Sequence, residues 1–440
     1  MLKNKKGITL IALVVTIVVL LILAGVTISL LLDENGIITK SKDARNANRA
    51  GAIKEEITLW KADKFAADNG AGSHESMDDF LARLKTRGLI SDEDIATIKD
   101  TKKLQVGKET IVFPSDAKTL VQAFKDNEIK VGDYLNYNDY VDESKTYTTA
   151  TNENGWADQK YTATKNTYWQ VLGLDSTGEK LMLISQSPIK KEMKTDTTAE
   201  DWEKSPYLVL KGAYGYVNCK TILNNISGIY STSLGTAEGL TAEEINRLIG
   251  VTVDYTNKKV YANSNPDVNI DKNGVLGNQY TYTADDYTPE SYIDDKNHAT
   301  AGEKTKPATA YFYQWGNLTI DDTLKTMLFS GTTNDANYAK SYWLASSGVF
   351  AESHYANFGP GGVYYGGVDS RHYLFYASGA WYARGFAVRP VVYLNSEVTV
   401  EDLHVIDGQE DNWSAYSAYS NGGAVANGNS SKGEAGIYGK

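Results

Sequence analysis

Apolar positions follow three different rhythms along this chain. From Ile8 to Leu32 they are almost continuous, and 25 residues pass without a charge. As a helix this stretch is about 37 Å long, more than the ~30 Å hydrocarbon core of a bilayer, so it predicts a membrane-spanning helix. Lys3, Lys5 and Lys6 precede it and place the N-terminus in the cytoplasm. A secretory signal peptide is the alternative, but the apolar core is too long and no small-residue cleavage site follows before Asp33. After the Asp33-Glu34-Asn35-Gly36 break the rhythm becomes helical: Ala50, Ile53, Ile57 and Trp60 share one face, with Lys54, Glu55, Glu56 and Lys61 elsewhere. Met77–Thr86, with Phe80, Leu81 and Leu84 inward, and Asp92–Lys99 predict two further short helices. Leu104–Val106 and Thr110–Phe113, joined around Gly107-Lys108, predict a hairpin. Together these make a small α+β headpiece over 33–126, with a larger domain to follow over 127–400.

In the larger domain the rhythm shortens. Ile129–Leu135 starts a strand pattern, and Trp169–Leu174 and Leu181–Ile184 flank the turn Asp175-Ser176-Thr177-Gly178 as a hairpin. Ile222, Leu223, Ile226 and Ile229 recur at helical spacing within Val217–Tyr230. Thr241 with Glu244 is a capping-box pair opening a helix to about Ile249, and Thr323–Phe329 is another short helical run. The polar, Asn/Asp/Tyr/Thr-rich stretch 252–310 predicts long surface loops or an insertion. Residues 401–440 read as a flexible tail, since 407–440 are rich in Gly, Ser, Asn and Ala with few aliphatics.

The stretch Ser341–Leu394 fits none of these rhythms. Tyr342-Trp343-Leu344-Ala345-Ser346 opens it and Val388-Arg389-Pro390-Val391-Val392 closes it. Gly punctuates the interior every few residues, which predicts short strands and loops pinned by buried anchors: Tyr355, Phe358, Val363, Val368, Leu374 and Tyr376. Between the anchors lie Phe350, His354, Asn357, Tyr364, Tyr365, Asp369, Ser370, Arg371, His372, Tyr373, Phe375, Trp381, Tyr382 and Phe386. Tyr and Trp supply contact area at low entropic cost, and Ser, Gly and Asn adapt their hydrogen bonds, as in antibody loops. These residues are therefore the candidate ligand-binding face, most of them expected on one exposed surface.

Composition narrows the function classes. The net charge is −11, which works against generic nucleic-acid binding. Tyr, at 30 residues against 10 Phe, suits an exposed binding surface. Cys219 is alone, so no intramolecular disulfide forms. The five histidines, at 74, 298, 354, 372 and 404, have no metal-ligand spacing. No Gly-x-Ser-x-Gly elbow and no phosphate loop is present, and nothing places two carboxylates in one cleft. The expectation is a binding protein rather than an enzyme, without cofactor or metal.

Two resemblances sharpen that reading. Lys5-Lys6-Gly7 followed directly by Ile8-Thr9-Leu10-Ile11-Ala12-Leu13-Val14 resembles a type IV prepilin. It implies cleavage between Gly7 and Ile8 by a prepilin peptidase, leaving leader 1–7, transmembrane helix 8–32 and an extracellular remainder. Ala12 stands where pilins usually carry Glu, which points away from a major filament subunit and toward a minor or tip pilin, a pseudopilin or a plain membrane anchor. The blocks around 341–394 resemble those of C-type-lectin-fold variable proteins diversified by retroelements, over roughly residues 128–400. That resemblance implies a variable region within 341–394 on a C-type-lectin-like domain with a strand-rich end. A non-diversified relative of the same fold would carry the same blocks.

The implied whole is a single-pass, surface-displayed adhesin or receptor-like protein. Its partners would be the membrane through Ile8–Leu32, other pilins, and a protein or glycan ligand on a cell, phage or host surface. A structural minor pilin is the alternative. Asn265-Pro266-Asp267 is similar to the calcium loop of sugar-binding lectins, but no Trp-Asn-Asp follows at the expected distance; Asp411-Asn412-Trp413 lies in the tail. The formylglycine-generating enzymes share the fold but use cysteines that are absent here.

Overall fold

The structure is a computed structural model. It describes residues 17–20, 37–68, 72–199, 201–254, 256–257, 259–270, 312–314, 321–329, 340–352, 355–364, 366–369, 374–376 and 383–408. The chain is α+β and forms two compact units, Met1–Ala117 and Lys118–Lys440. Among the described residues no helix is long and apolar enough to cross a membrane. Of the expected span Ile8–Leu32, only Ile17–Leu20 are described, helical and exposed. Gly7 and Ile8 lie outside the described residues.

In the first unit, α1 (Ile37–Asp68) buries Ala50, Ile53, Ile57 and Trp60, the face its periodicity marks. Against it pack α2 (Met77–Thr86), through Phe80, Leu81 and Leu84, and α3 (Asp92–Thr101), through Ile98. Ser76 caps α2 by accepting from the Asp79 amide at 3.1 Å, and Ser91 with Asp94 closes a capping box on α3. The hairpin β1 (Lys103–Val106) and β2 (Glu109–Val112) turns at Gly107, in the left-handed region at φ +63°. Leu104, Val106 and Ile111 face the helices.

One carboxylate lies within this packing. Glu56 is buried and ion-pairs with Arg83 and Arg87, while Arg83 also holds Glu75 at 2.9 Å. Burial alone would raise the Glu56 carboxyl. The hydrogen bonds and charges of the two arginines outweigh it and hold the carboxyl below its usual range.

The unit boundary falls at Ala117 rather than at the expected 126. Helix α4 (Leu120–Lys125) belongs to the second unit: the Leu120 amide donates to Val398 O at 2.9 Å, and Thr119 bridges Thr399. Next in the chain come β3 (Tyr134–Leu135), the pair β4 (Thr146–Thr149) and β5 (Gln159–Thr162), and the hairpin β6 (Trp169–Leu174) and β7 (Leu181–Ser185). Asp175 accepts from the Glu179 and Lys180 amides at 3.0 and 3.1 Å, so the turn closes as its chemistry predicts.

β8 (Leu208–Lys211) leads into α5 (Gly212–Gly228), which starts earlier than the expected Val217. β9 (Gly235–Gly239) and α6 (Ala242–Leu248) follow, with Thr241 capping α6 through the Glu244 amide at 3.1 Å. The expected loop region opens instead with a hairpin, β10 (Val251–Asp254) and β11 (Lys259–Ala262), because Val260 is fully buried in the core. Residues 271–311 lie outside the described residues.

The remaining elements are β12 (Phe312–Gln314), α7 (Asp322–Phe329), β13 (Tyr342–Glu352), β14 (Tyr355–Tyr364), β15 (Gly367–Asp369), β16 (Phe375–Tyr376), β17 (Ala383–Phe386), β18 (Pro390–Leu394) and β19 (Val405–Ile406). A six-stranded sheet runs β19-β3-β6-β7-β18-β9. All five residues of β7 are buried because both faces of this sheet are covered. Leu181 and Leu183 point into a core shared with Ile222, Leu223 and Ile226 of α5, and Met182 and Ile184 into a core with Ile245 of α6 and Leu328 of α7. A five-stranded sheet runs β12-β15-β14-β13, with β16 also paired to β14.

The C-terminal tail also begins later than expected. Leu403 is fully buried, β19 pairs with β3, and the His404 amide donates to Asn136 Oδ1 at 2.9 Å, so 401–408 is part of the fold. A single buried leucine and an edge-strand pairing supply the ordering that composition did not announce. Residues 409–440 lie outside the described residues.

Candidate functional site

The two blocks that bracket the candidate segment meet in space. The Trp343 amide donates to Ala387 O at 2.9 Å, and the Ala387 amide donates to Ser341 O at 3.0 Å. The ends of the intervening segment are thus stitched together by backbone hydrogen bonds, which are indifferent to side-chain identity.

Each block is anchored in both cores. Along the first, Tyr342 and Leu344 enter one core, and Trp343 and Ala345 the other, by strand alternation. Trp343 is 1% exposed, donates its indole N–H to Leu208 O at 3.0 Å, and stands edge-on to Phe386 with ring centres 4.5 Å apart. Ala345 packs so closely that a Cβ on Gly239 would lie 3.0 Å from its own. Ser346 ends the block by accepting from the Ala242 amide at 2.9 Å and donating to Glu243 at 2.6 Å.

In the closing block Val391 and Val392 also face opposite cores. Between them and the first block lies Arg389, 3% exposed. Its guanidinium donates to Ser185 O at 3.0 and 2.7 Å and to Met327 O at 2.6 Å, and lies over the Tyr342 ring at 5.0 Å. It therefore ties β7, α7 and β13 to β18. Burial pushes the Tyr342 hydroxyl up to about 12, against the pull of Arg389, so Tyr342 stays neutral and donates to Leu328 O at 3.1 Å.

Between the blocks the chain forms longer strands than the expected short pieces. β13 and β14 pair from Tyr342↔Val363 to Glu352↔Tyr355, with a register irregularity between Trp343 and Ser347. Tyr, Val and Phe favour this pleated pairing despite the glycines. The anchors Phe358, Val363, Val368 and Leu374 are all fully buried, and the Leu374 amide donates to Phe358 O at 2.7 Å. Phe358 meets Tyr216 of α5 edge-on at 5.6 Å. Tyr355 and Tyr376 lie on β14 and β16.

The candidate face divides as follows. Phe350, Asn357 and Phe375 lie on paired strands, with Phe350↔Asn357 and Phe358↔Phe375 in register. Tyr364 is half-buried and meets Phe386 edge-on at 5.7 Å. Two candidates are corrected. Phe386 is 2% exposed because β17 pairs with β8 and turns its ring onto Trp343, so it is core. Asp369 is 7% exposed because β15 is flanked on both sides, by β12 and β14. His354, Tyr365, Ser370, Arg371, His372, Tyr373, Trp381 and Tyr382 lie outside the described residues.

Among the described residues no group of three His, Cys, Asp or Glu side chains could hold a metal ion. At the calcium-like Asn265-Pro266-Asp267, the Lys259 ammonium occupies the Pro266 carbonyl. Sequence reasoning passed over Trp156, Trp202 and Lys211, which meet where Lys211 lies over the Trp156 ring and Trp156 stands edge-on to Trp202. Contacts between distant stretches bring them together, although two tryptophans among polar neighbours were a readable signal. No protein-family model, no curated protein and no solved structure matches the chain.

Proposed function

We propose that this is a surface-displayed, membrane-anchored binding protein. Its larger unit is a C-type-lectin-like domain presenting a variable ligand-binding face, and its N-terminus is pilin-like, processed between Gly7 and Ile8. The observation that carries the reading is the stitched base: Trp343 and Ala387 close the segment through backbone atoms, while Trp343, Arg389 and Val391 are locked into the cores. A segment closed in this way suits exchange of its exposed polar and aromatic side chains, because the backbone bonds that join its ends are indifferent to them. This is the design of antibody loops on a rigid sandwich.

The test is a library varied at Phe350, His354, Asn357, Tyr364, Tyr365, Ser370, Arg371, His372, Tyr373, Phe375, Trp381 and Tyr382, with the anchors kept. Most members fold, with stabilities within about 0.5 kcal/mol of the parent at the exposed positions, and differ in what they bind. Widespread unfolding, or unchanged binding throughout, defeats the proposal. N-terminal sequencing of the mature protein that starts anywhere but Ile8 defeats its pilin-like part.

A further inference from the structure

A cluster of aromatic and basic side chains lies outside the variable segment. Lys211 ends β8, pairs with Ala383 of β17, and stands at the N-cap of α5. The first turn of α5 carries no acidic residue, and its cap makes no side-chain hydrogen bond. A helix N-terminus carries partial positive charge, so an ammonium there is unfavourable until an anion joins it. Lys211 Nζ lies 5.4 Å from the centre of the Trp156 ring. Half-buried, it is lowered by desolvation.

Both tryptophans are held from beneath. Trp156 stands edge-on to Trp202, with ring centres 6.0 Å apart and planes at 88°. Trp202 covers Lys191, whose Nζ is 4.8 Å from the ring centre and donates to Trp202 O at 2.7 Å. Asn154 Oδ1 accepts from the Trp156 and Ala157 amides at 2.6 and 3.0 Å, fixing the turn that carries Trp156. Gly155 in that turn, at φ +74°, lies so close to β8 that a Cβ would fall 2.2 Å from Lys211 O. Each indole remains partly exposed. The Trp156 indole N–H is shielded from solvent and has no hydrogen-bond partner among the described residues. A shielded donor without an acceptor is costly and calls for one.

We propose that Trp156, Trp202 and Lys211 form a fixed binding site for a carboxylate-bearing sugar, such as a uronic or sialic acid residue. The half-buried ammonium is a charged donor, so the complementary group is an acceptor carrying negative charge. The exposed part of each indole, on the side its lysine leaves open, offers flat apolar area that suits the apolar face of a pyranose ring. The net charge of −11 opposes polyanions, so the fit is to a single carboxylate on a ring rather than to a nucleic acid. An acidic peptide would meet Lys211 but leave the indole faces without a ring to stack on. The site lies outside 347–387 and does not depend on that segment being variable.

The experiment titrates the full chain with glucuronic-acid- and N-acetylneuraminic-acid-terminated oligosaccharides, their neutral counterparts and a Glu-rich peptide, by calorimetry. Saturable binding of at least one acidic sugar over its neutral counterpart and the peptide is expected. Lys211→Met keeps the stem over the ring and should weaken that binding roughly 10- to 100-fold. Lys211→Arg, which keeps the charge, should retain most of it, and Trp156→Phe, which removes only the indole N–H donor and some area, should weaken it severalfold. Exchanging residues 347–380 should leave it unchanged, so failure here and failure of the variable-face reading are separate outcomes. The proposal is overturned if neither acidic sugar binds, if neutral sugars or the peptide bind as well, if Lys211→Met binds like the parent, or if the exchange abolishes binding. Should Lys211→Met fail to fold, binding unaffected by Trp156→Phe overturns it.

Discussion

The two compact units each bury an ionised side chain, and they do so in opposite ways. In the first, the Glu56 carboxylate is neutralised by two guanidinium groups, Arg83 and Arg87, themselves partly exposed. In the second, the Arg389 guanidinium is received by the carbonyls of Ser185 and Met327 and by the Tyr342 ring. The first arrangement depends on a proton, because Glu56 titrates within reach of acid. The second depends on shape, because guanidinium stays charged and backbone carbonyls do not titrate. A pH-indifferent clamp suits the base of the proposed exchangeable segment. The charge pairs around Glu56 instead make the headpiece acid-sensitive.

The sharpest way to break this comparison is to remove the packing beneath it. Trp343→Ala should destabilise the larger unit by about 3–5 kcal/mol, and Leu374→Ala by about 2–5 kcal/mol, read from urea-unfolding midpoints. Unchanged midpoints would mean that the base is held elsewhere. Arg389→Lys comes next, at about 2–4 kcal/mol, because an ammonium cannot reach both carbonyls. This loss should be equal at pH 4 and pH 7, and a loss confined to one pH would erase the contrast between the units.

Glu56→Gln should cost about 1–3 kcal/mol at pH 7, read by hydrogen exchange of the Ile53–Trp60 amides. Because the folded carboxyl titrates below its unfolded value, the native Glu contributes stability above that unfolded value. This stability is lost as pH falls through the folded one. The variant and the parent should therefore converge in strong acid, and a gap that persists there would remove the charge explanation.

The smallest effect concerns Lys191, which burial pulls down to about 7 against the opposing charge of Glu203. Its folded value lies below its unfolded one, so the cost of burying its charge is fully present below pH 7. That cost fades as pH rises toward the unfolded value near 10.4. Lys191→Met should stabilise the larger unit by about 1 kcal/mol at pH 6, with the gain shrinking toward pH 10. A gain that grew with pH would contradict that cause.

The candidate site was partly legible in the residues. Phe358, Val363, Val368 and Leu374 are apolar residues in a segment of Gly, Ser, Asn and Tyr, and each is fully buried. Phe386 and Asp369 are also buried, in strands β17 and β15, whose neighbours no local pattern announces. Arg389 reads as a surface charge until β7 and α7 are brought beside it. The cluster of Trp156, Trp202 and Lys211 is assembled from three separate stretches: Gln159 bonds Val209 of β8, Gly155 packs on Lys211 O, and Trp202 meets Trp156 edge-on.

By itself the sequence determined the elements with strong local signals. These are the headpiece helices, the hairpin turning at Asp175, the helix carrying Ile222 and Ile226, the Thr241-capped helix, and the apolar anchors Phe358, Val363, Val368 and Leu374. Period, capping and turn chemistry act within a few residues, so they survive without a fold around them. Tertiary structure alone decided the rest: that 401–408 completes a sheet, that α4 joins the second unit, that Val251–Ala262 is a hairpin, and that Trp343 and Ala387 meet. These depend on contacts between residues far apart in the chain. Whether a side chain is core or surface there is set by the strand that arrives beside it, not by its own neighbours.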